Sequence, residues 1–265
     1  GSLREILRNA VKRSIHASHD GSTGAFLSGG LDSSTVAGLL SEATNRKTKT
    51  FTVGFAQKEY DEVHYAEIAA RRFGTEHHNY FLSPQDVADA LVDLAGIFDE
   101  PFGNSSVVPA YYCARTAKSH GVSLMLGGDG GDEIFAGNSR YIEQQQANRY
   151  LELPRLLRAA IEPLVFGLPG VDRSNFGRRL RAYVKRVRTP MPERLECYNF
   201  YQSADLASVF TEDALALIDS NAPLAGMREA YARTASRSML QRMMHLDLKI
   251  TLADNDLRKV GGACA

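Results

Sequence analysis

The sequence is poor in cysteine, has no excess of either charge and contains no long apolar run. A membrane-spanning helix needs about 20 consecutive apolar residues, so the sequence predicts no such span. Cys113, Cys197 and Cys264 lie far apart without metal-ligand spacing, which argues against a disulfide framework. The 31 basic residues balance the 31 acidic ones, which argues against a nucleic-acid or anionic-membrane partner. We therefore expect a cytoplasmic protein.

Strand and helix patterns alternate in the first half of the chain. Gly74 predicts a left-handed helix end, and Ser83-Pro84 predicts a capped helix start. Parallel strands joined by helices form an α/β fold with a doubly wound sheet, whose ligands bind at the carboxyl ends of the strands. The predicted strands are residues 24–27, 50–55, 77–82 and 122–126, and the predicted helices are residues 33–44, 61–73, 84–98 and 107–120.

The second half of the chain has no strand pattern. It consists of helical patterns interrupted by prolines. The sequence therefore predicts two domains, an α/β core over residues 1–141 and a helical region over residues 142–265.

A polar turn links the first predicted strand to the first predicted helix. This phosphate loop reads Ser28-Gly29-Gly30-Leu31-Asp32-Ser33-Ser34. Adjacent glycines let the backbone approach a ligand closely, and the free N–H groups at a helix start favour an anion. The three serine hydroxyls add donors for phosphate oxygens. The loop has no lysine and no G-x-G-x-x-G, so it is neither a Walker A loop nor an ordinary dinucleotide site.

An acidic, glycine-rich turn follows the last predicted strand. This acidic turn reads Gly127-Gly128-Asp129-Gly130-Gly131-Asp132-Glu133. Asp132 and Glu133 could simply stabilise a helix N-terminus. Because both turns follow parallel strands, however, we expect Asp32 and Asp132 to converge beside bound phosphates, where like charges at about 4 Å repel by several kcal/mol. Mg²⁺ commonly takes one or two carboxylates plus phosphate oxygens, so we infer Mg²⁺ held by Asp32 and Asp132.

These motifs together resemble a known family. Ser-Gly-Gly-x-Asp-Ser after a strand is the signature of ATP pyrophosphatase-type loops, which hold pyrophosphate when ATP is cleaved between its α and β phosphates. The chain is similar to the C-terminal synthetase domain of glutamine-hydrolysing asparagine synthetases, densely over residues 20–142 and thinly over the helical remainder. Besides the phosphate loop, the resemblance rests on residues 52–55, 61–62, 65–66, 74–78, 99–102, 127–133, 137 and 140–141.

The resemblance implies a role for each matching residue and implies ATP and Mg²⁺ as cofactors. Asp129 stands where family members often carry a glutamate that helps to orient the intermediate. Glu133 matches a carboxylate associated with the amino-acid substrate, or is a plain helix-start charge. The residues implied in ATP binding are Leu27 and Val53 for adenine, Ser28, Gly29, Gly30, Asp32, Ser33 and Ser34 for pyrophosphate, and Gly127 and Gly128 near the ribose and α-phosphate.

The implied reaction has two steps. The β-carboxylate of aspartate attacks the α-phosphorus of ATP, giving β-aspartyl-AMP and pyrophosphate, and ammonia then displaces AMP to give asparagine. Positioning and charge neutralisation dominate such chemistry, and the sequence contains no Ser-His-Asp or Cys-His nucleophile arrangement. The partners implied are ATP, aspartate and ammonia, with a homodimer as one expected assembly.

The sequence departs from the family in three places. Family members usually carry an N-terminal glutaminase domain, which we expect upstream, and a catalytic lysine beyond residues 252–260, so we expect the helical region to be truncated. Lys259 does not lie in that lysine's motif. The aspartate at position 129 leaves the amino-acid substrate open. Two alternatives remain: another adenylating enzyme, such as a β-lactam synthetase or a peptide cyclase, and a non-catalytic ATP-binding module.

Overall fold

The computed structural model divides into two compact units. The first comprises residues 1–131 and 251–265, and the second comprises residues 132–250. No helix in the described part of the chain is long and apolar enough to cross a membrane. The residues that the structure describes are 1–16, 22–44, 46–55, 62–99, 102–167, 174–196, 206–219 and 221–265.

The first unit alternates helices and strands. The helices are α1 (Leu3–His16), α2 (Leu31–Ala43), α3 (Val63–Phe73), α4 (Pro84–Ile97) and α5 (Val107–Ser119). The strands are β1 (Thr23–Phe26), β2 (Lys49–Phe55), β3 (Glu76–Leu82) and β4 (Leu124–Leu126). The unit ends with the start of α6 (Gly131–Phe135) and later regains a π-helix (Thr251–Asp256) and the final helix, Leu257–Cys264.

The four strands form one parallel sheet in the order β3-β2-β1-β4. Ala25 of β1 lies opposite Thr50 of β2 on one side and Leu126 of β4 on the other. The chain moves outward from β1 through β2 to β3, and β4 then returns to the other side of β1. The topological switch point, where such sheets bind ligands, therefore lies between β1 and β4. The predicted α/β fold is confirmed.

Helices cover both faces of the sheet because successive side chains of a strand point to opposite sides. Ala25 and Leu27 pack in a buried cluster with residues of α2 and α3. Phe26, between them, packs with Phe51 and with Cys113 of α5. This alternation buries β1 on both sides and fixes the position of the residues that follow it.

Two helix boundaries lie at the residues that the sequence predicts. Gly74 ends α3 with φ 65°, in the left-handed region that glycine adopts without strain. Ser83 starts α4 with a capping box, in which the N–H of Asp86 donates to Ser83 Oγ and the N–H of Ser83 donates to the Asp86 carboxylate. Pro84 occupies the first turn, as expected.

Other boundaries differ from the prediction. Helix α2 begins at Leu31 and not at residue 33, because Gly30 adopts the extended conformation of an N-cap. Asp32 and Ser33 therefore lie in the first helical turn. Strand β4 begins at Leu124 and not at residue 122. Helix α3 begins at Val63 among the described residues, and the predicted start at residue 61 lies outside them.

The end of the chain belongs to the first unit, whereas the sequence groups it with the helical region from residue 142 onward. Ala263 is buried in a cluster with Leu82 and Leu94. A Cβ atom at Gly262 would lie 2.6 Å from the Phe98 ring, so the final helix approaches α4 closely through glycine. Apolar and small residues thus attach this helix to the α/β fold.

The second unit is helical throughout its described residues, as predicted for the later part of the chain. Its core contains Tyr141, Met227, Tyr231, Met243 and Leu246. After α6, its helices are α7 (Ser139–Glu152), α8 (Arg155–Gly167), α9 (Asn175–Arg188), α10 (Glu212–Leu217), α11 (Ala222–Arg233) and α12 (Met239–Lys249), with 3₁₀ turns at Glu193–Glu196 and Leu206–Ser208. The final helix, Leu257–Cys264, is α13.

Candidate functional site

The end of β1 is anchored to β2. The Leu27 N–H donates to the Phe51 carbonyl over 2.9 Å, and the Thr52 hydroxyl donates to the Leu27 carbonyl. The Leu27 side chain is 1% exposed. Leu27 therefore directly follows the carboxyl end of β1, and Val53 lies on the neighbouring strand β2. The resemblance implies that these two residues contact the base of a nucleotide.

The serines of the phosphate loop bond to one another. Ser33 Oγ lies 2.9 Å from Ser28 Oγ and accepts the Ser28 N–H over 3.2 Å. The Gly30 N–H donates to Ser28 Oγ over 3.3 Å. These bonds hold the loop in a fixed shape without a ligand, which lowers the cost of ordering it on binding.

The N-terminus of α2 is suited to an anion. Within the described residues, no side chain caps it, and Leu31 in its first turn is 83% exposed. The first amide N–H groups of a helix have no partner within the helix, and the helix dipole attracts negative charge to them. The structure thus places an open helix start directly after the buried end of a strand.

Gly29 is required at its position in the phosphate loop. Its φ of 83° disfavours any other residue. A Cβ atom there would also lie 2.5 Å from the backbone N of Ala66 in α3. The loop therefore rests against α3 through a bare backbone.

The acidic turn contacts the phosphate loop, as the sequence predicts. A Cβ atom at Gly128 would lie 2.8 Å from the Ser33 N and 2.9 Å from the carbonyl carbon of Asp32. A Cβ atom at Gly131 would lie 2.6 Å from Asp32 Oδ1. The two segments, about a hundred residues apart in sequence, meet beside the switch point between β1 and β4, and glycine makes the contact possible.

Asp129 projects from this turn within the first unit. A Cβ atom at Gly127 would lie 2.7 Å from Asp129 Oδ2. Burial, and then the charge of Asp129, raise the pKa of the Cys264 thiol. A Cβ atom at Gly130 would lie 3.3 Å from Leu252 Cδ2. Sequence reasoning missed these neighbours from residues 251–264, because no local pattern links them to the turn.

In the second unit, the residues after Gly131 form a compact reversal. Glu133 in α6 is 7% exposed, so its carboxylate is largely withdrawn from water. The Gly137 N–H donates to the Asp132 carbonyl over 3.2 Å, and Ala136 takes φ 60°. Non-glycine residues are uncommon in the left-handed region, and those that adopt it are concentrated at functional sites.

A buried polar cluster follows this reversal; we call it the Asp247 cluster and define it as Arg140, Tyr141 and Asp247. The Tyr141 hydroxyl donates to Asp247 Oδ2 over 2.6 Å, and Arg140 forms an ion pair with Asp247 Oδ1. Burial and the hydrogen bond to Asp247 raise the pKa of Tyr141. Burial lowers the pKa of Arg140, but the pairing with Asp247 and the charge of Glu133 outweigh it, so the net shift is upward.

Within the described residues, no group of three or more His, Cys, Asp or Glu side chains is arranged to hold a metal ion. The carboxylate that stands against the acidic turn is that of Asp32, beside Gly131. Asp132 is the next residue in the chain.

A model of the asparagine synthase family matches residues 2–265, nearly the whole chain. The chain belongs to the asparagine synthase family. The predicted resemblance is therefore confirmed at the level of the family.

Similar proteins include those of one archaeon and two bacteria. An asparagine-synthetase-like protein of Methanocaldococcus jannaschii is 40% identical over 156 residues, covering 58% of this chain and 30% of its own length. The glutamine-hydrolysing asparagine synthetase 1 of Bacillus subtilis is 31% identical over 192 residues, covering 72% and 29%. An asparagine-synthetase-like protein of Mycobacterium bovis is 30% identical over 250 residues, covering 93% and 36%. The chain thus spans about a third of the length of these curated relatives.

Proposed function

We propose that this chain is an ATP-dependent, amide-forming synthetase domain that adenylates the side-chain carboxylate of aspartate. The observation that carries the proposal is the contact of Gly128 and Gly131 with Asp32 and Ser33 at the switch point of the sheet. A helix start rich in N–H donors and a glycine turn that bears carboxylates stand together there. This combination suits a nucleoside triphosphate and its metal ion.

The ATP subsites follow from the order of the elements. Leu27 and Val53 would contact the adenine at the ends of β1 and β2. The phosphate loop, through Ser28, Gly29, Gly30, Asp32, Ser33 and Ser34, would hold the β- and γ-phosphates that leave as pyrophosphate. Gly127 and Gly128 would lie beside the ribose and α-phosphate. The support is the fixed shape of the loop and its contact with the acidic turn.

We propose that Asp32 and Asp132 hold Mg²⁺. The donor set is carboxylate oxygen, which is the ligand type that Mg²⁺ prefers. Because residue 131 is glycine, the Asp32 carboxylate can lie against the backbone of the residue that precedes Asp132. When bound, Mg²⁺ would supply neutralisation of the phosphate charge that develops as pyrophosphate departs.

The chemistry asks the chain to position groups and to stabilise charge. An oxygen of the aspartate β-carboxylate forms a bond to the α-phosphorus, and the bond from that phosphorus to the β-phosphate oxygen breaks. The nitrogen lone pair of ammonia then attacks the acyl carbon, the acyl C–O bond breaks, and AMP leaves as a proton is lost. We assign Asp129 to orienting the acyl-adenylate and Glu133 to binding the amino-acid substrate, both by charge.

We propose that ammonia reaches this site from a glutaminase domain of the same protein. The support is the name of the Bacillus subtilis relative, which describes that protein as glutamine-hydrolysing.

ATP–pyrophosphate exchange tests the proposal. With Mg²⁺ present, aspartate should support exchange of labelled pyrophosphate into ATP. Asp32→Asn should lower the rate by about a hundredfold or more, the scale of losing a transition-state stabilising group. Asp213→Asn, at an exposed position of α10, should behave as wild type and serves as the matched control.

Other outcomes separate the alternatives. If aspartate is inert and another carboxylic acid supports exchange, the chain is a related adenylating enzyme, such as a β-lactam synthetase or a peptide cyclase. If ATP and Mg²⁺ bind but no acid supports exchange, the chain is a nucleotide-binding module without turnover. Adding ammonium to an active mixture should convert the adenylate to asparagine and AMP.

A further inference from the structure

The chain returns to the first unit through one turn of π-helix, Thr251–Asp256, which directly precedes α13. A π-helix is rare because its hydrogen bonds span five residues, and single turns of it are frequent at functional sites. The first unit also contains the phosphate loop and the first five residues of the acidic turn. The neighbours of the π-helix in this unit therefore bear on its role.

Leu252 of the π-helix packs on the acidic turn. A Cβ atom at Gly130 would lie 3.3 Å from Leu252 Cδ2, and among the described residues no other atom beyond the chain neighbours comes within 4 Å of that position. Gly130 is buried and takes φ 93°, a conformation that favours glycine. One leucine side chain thus covers a stretch of main chain that has no side chain of its own.

The acidic turn gains from such a contact because four of its seven residues are glycine. Glycine loses more backbone freedom on ordering than any other residue. Gly128 and Gly131, on either side of Gly130, are the residues that lie against the start of α2. A contact at Gly130 therefore restrains the turn between its two contacts with the phosphate loop.

Leu252 is in turn held by its surroundings in the first unit. Three residues further along, Asn255 Oδ1 accepts a hydrogen bond from the Asn104 side-chain amide over 3.3 Å. Asn104 Oδ1 accepts the N–H of Ser106 over 3.0 Å at the start of α5. Beyond the π-helix, α13 buries Ala263 in a cluster with residues of α4 and α5. The leucine thus projects from a segment that is fixed to the α/β fold.

We infer that Leu252 is a positioning residue for the ATP site: its contact with Gly130 holds the acidic turn against the phosphate loop in the conformation that binds ATP and Mg²⁺. This inference rests on the proposed function and deepens it. It gives the π-helix a part in nucleotide affinity, although Leu252 lies 122 positions after Gly130 in the sequence.

A leucine that only fills space gives a different expectation. Its truncation would lower stability and reduce the folded fraction, but each folded molecule would bind ATP with unchanged affinity. If Leu252 restrains the turn, truncation lowers the fraction of folded molecules whose turn is ready to bind, and the apparent Kd rises by that factor. The two roles therefore differ in the Kd and in the fraction of molecules that bind.

The experiment is calorimetric titration of ATP·Mg²⁺ into wild type, Leu252→Ala, Leu252→Met and Leu257→Ala. Leu257, the first residue of α13, is 52% exposed and supplies the matched control. We expect Leu252→Ala to raise the Kd by about fivefold or more with the number of binding sites unchanged. Leu252→Met, which keeps a long apolar side chain, should stay within about twofold of wild type, and Leu257→Ala should match wild type.

Leu252→Val keeps the inference testable if Leu252→Ala does not fold. It shortens the side chain less and should raise the Kd by about twofold or more relative to Leu257→Val. A Kd equal to that of the matched Leu257 variant would overturn the inference, whether or not fewer molecules bind. A loss in Leu252→Met as large as in Leu252→Ala would also overturn it. Failure of wild type to bind ATP·Mg²⁺ would instead overturn the proposed function.

Discussion

Gly128→Ala perturbs the contact between the acidic turn and the phosphate loop. The added methyl group would lie 2.8 Å from the Ser33 N and 2.9 Å from the Asp32 carbonyl carbon. Both are backbone atoms in the first turn of α2, so relief requires moving either the helix start or the turn. Overpacking of this kind costs about 1–3 kcal/mol. For a chain of this size, each kcal/mol lowers the melting temperature by about 2–4 °C.

The neighbouring glycine supplies a matched comparison. A Cβ atom at Gly127 would meet the Asp129 carboxylate, which is the end of a side chain that can rotate away. Gly127→Ala should therefore leave the melting temperature within about 2 °C of wild type, whereas Gly128→Ala should lower it clearly.

ATP binding should weaken in Gly128→Ala as well. Displacement of the α2 N-terminus by the Gly128 methyl group should weaken ATP binding by about tenfold, which corresponds to 1.4 kcal/mol. Differential scanning calorimetry and titration with ATP·Mg²⁺ measure the two effects. If Gly128→Ala matches Gly127→Ala in melting temperature and matches wild type in ATP binding, the close contact between the two segments is refuted.

Three further predictions concern stability. Ser83→Ala removes half of the capping box of α4 and should lower the free energy of unfolding by about 0.5–2 kcal/mol in urea denaturation. Ser119→Ala, at the last residue of α5 and not at a helix N-cap, should lower it less and serves as the comparison. Burial lowers the pKa of His77, so its neutral form stabilises the fold above about pH 6.5. As the pH drops below that value, the free energy of unfolding should fall by at most about 1.4 kcal/mol per pH unit. His77→Gln should lose less stability over this range, and an equal loss would contradict the assignment. The pKa of Tyr141 is raised, so its contribution to stability is complete below about pH 10 and is lost as pH rises further. The stability of Tyr141→Phe should therefore decline less steeply at alkaline pH than that of wild type, and parallel curves of stability against pH would contradict this prediction.

The α/β fold could be predicted because its signals are local. Gly74 and Ser83 mark helix boundaries through their own backbone and hydroxyl chemistry. Short apolar runs separated by amphipathic helices predict parallel strands, and this rule brings two distant turns to one edge of the sheet. The meeting of Gly128 with Ser33 follows from that topology, and so it could be anticipated.

Other features depend on pairings that leave no periodic signal. The return of residues 251–265 to the first unit depends on the fit of Gly262 against Phe98. The bond from Tyr141 to Asp247 joins residues 106 positions apart. A buried aspartate and an exposed one look the same in sequence, so the Asp247 cluster could be found only from the folded chain.

The phosphate loop shows what the sequence of a motif leaves undetermined. The serines of the loop were expected to serve a ligand, yet Ser28 and Ser33 also bond to each other. This bond helps to set the shape of the loop. Sequence indicated which residues share the loop, whereas only the structure indicated how they shape it.

We propose that the phosphate loop and the acidic turn together bind the phosphates of ATP through a shared metal ion. Calorimetric titration of ATP into the wild-type chain and into Asp32→Asn, each with and without Mg²⁺, tests it most directly. We predict that Mg²⁺ strengthens ATP binding to the wild type by about tenfold or more, that this gain is largely lost in Asp32→Asn, and that the metal-free affinities agree within about twofold. Equal losses of affinity in the presence and absence of Mg²⁺ would contradict the claim and would leave Asp32 as a residue that only shapes the loop.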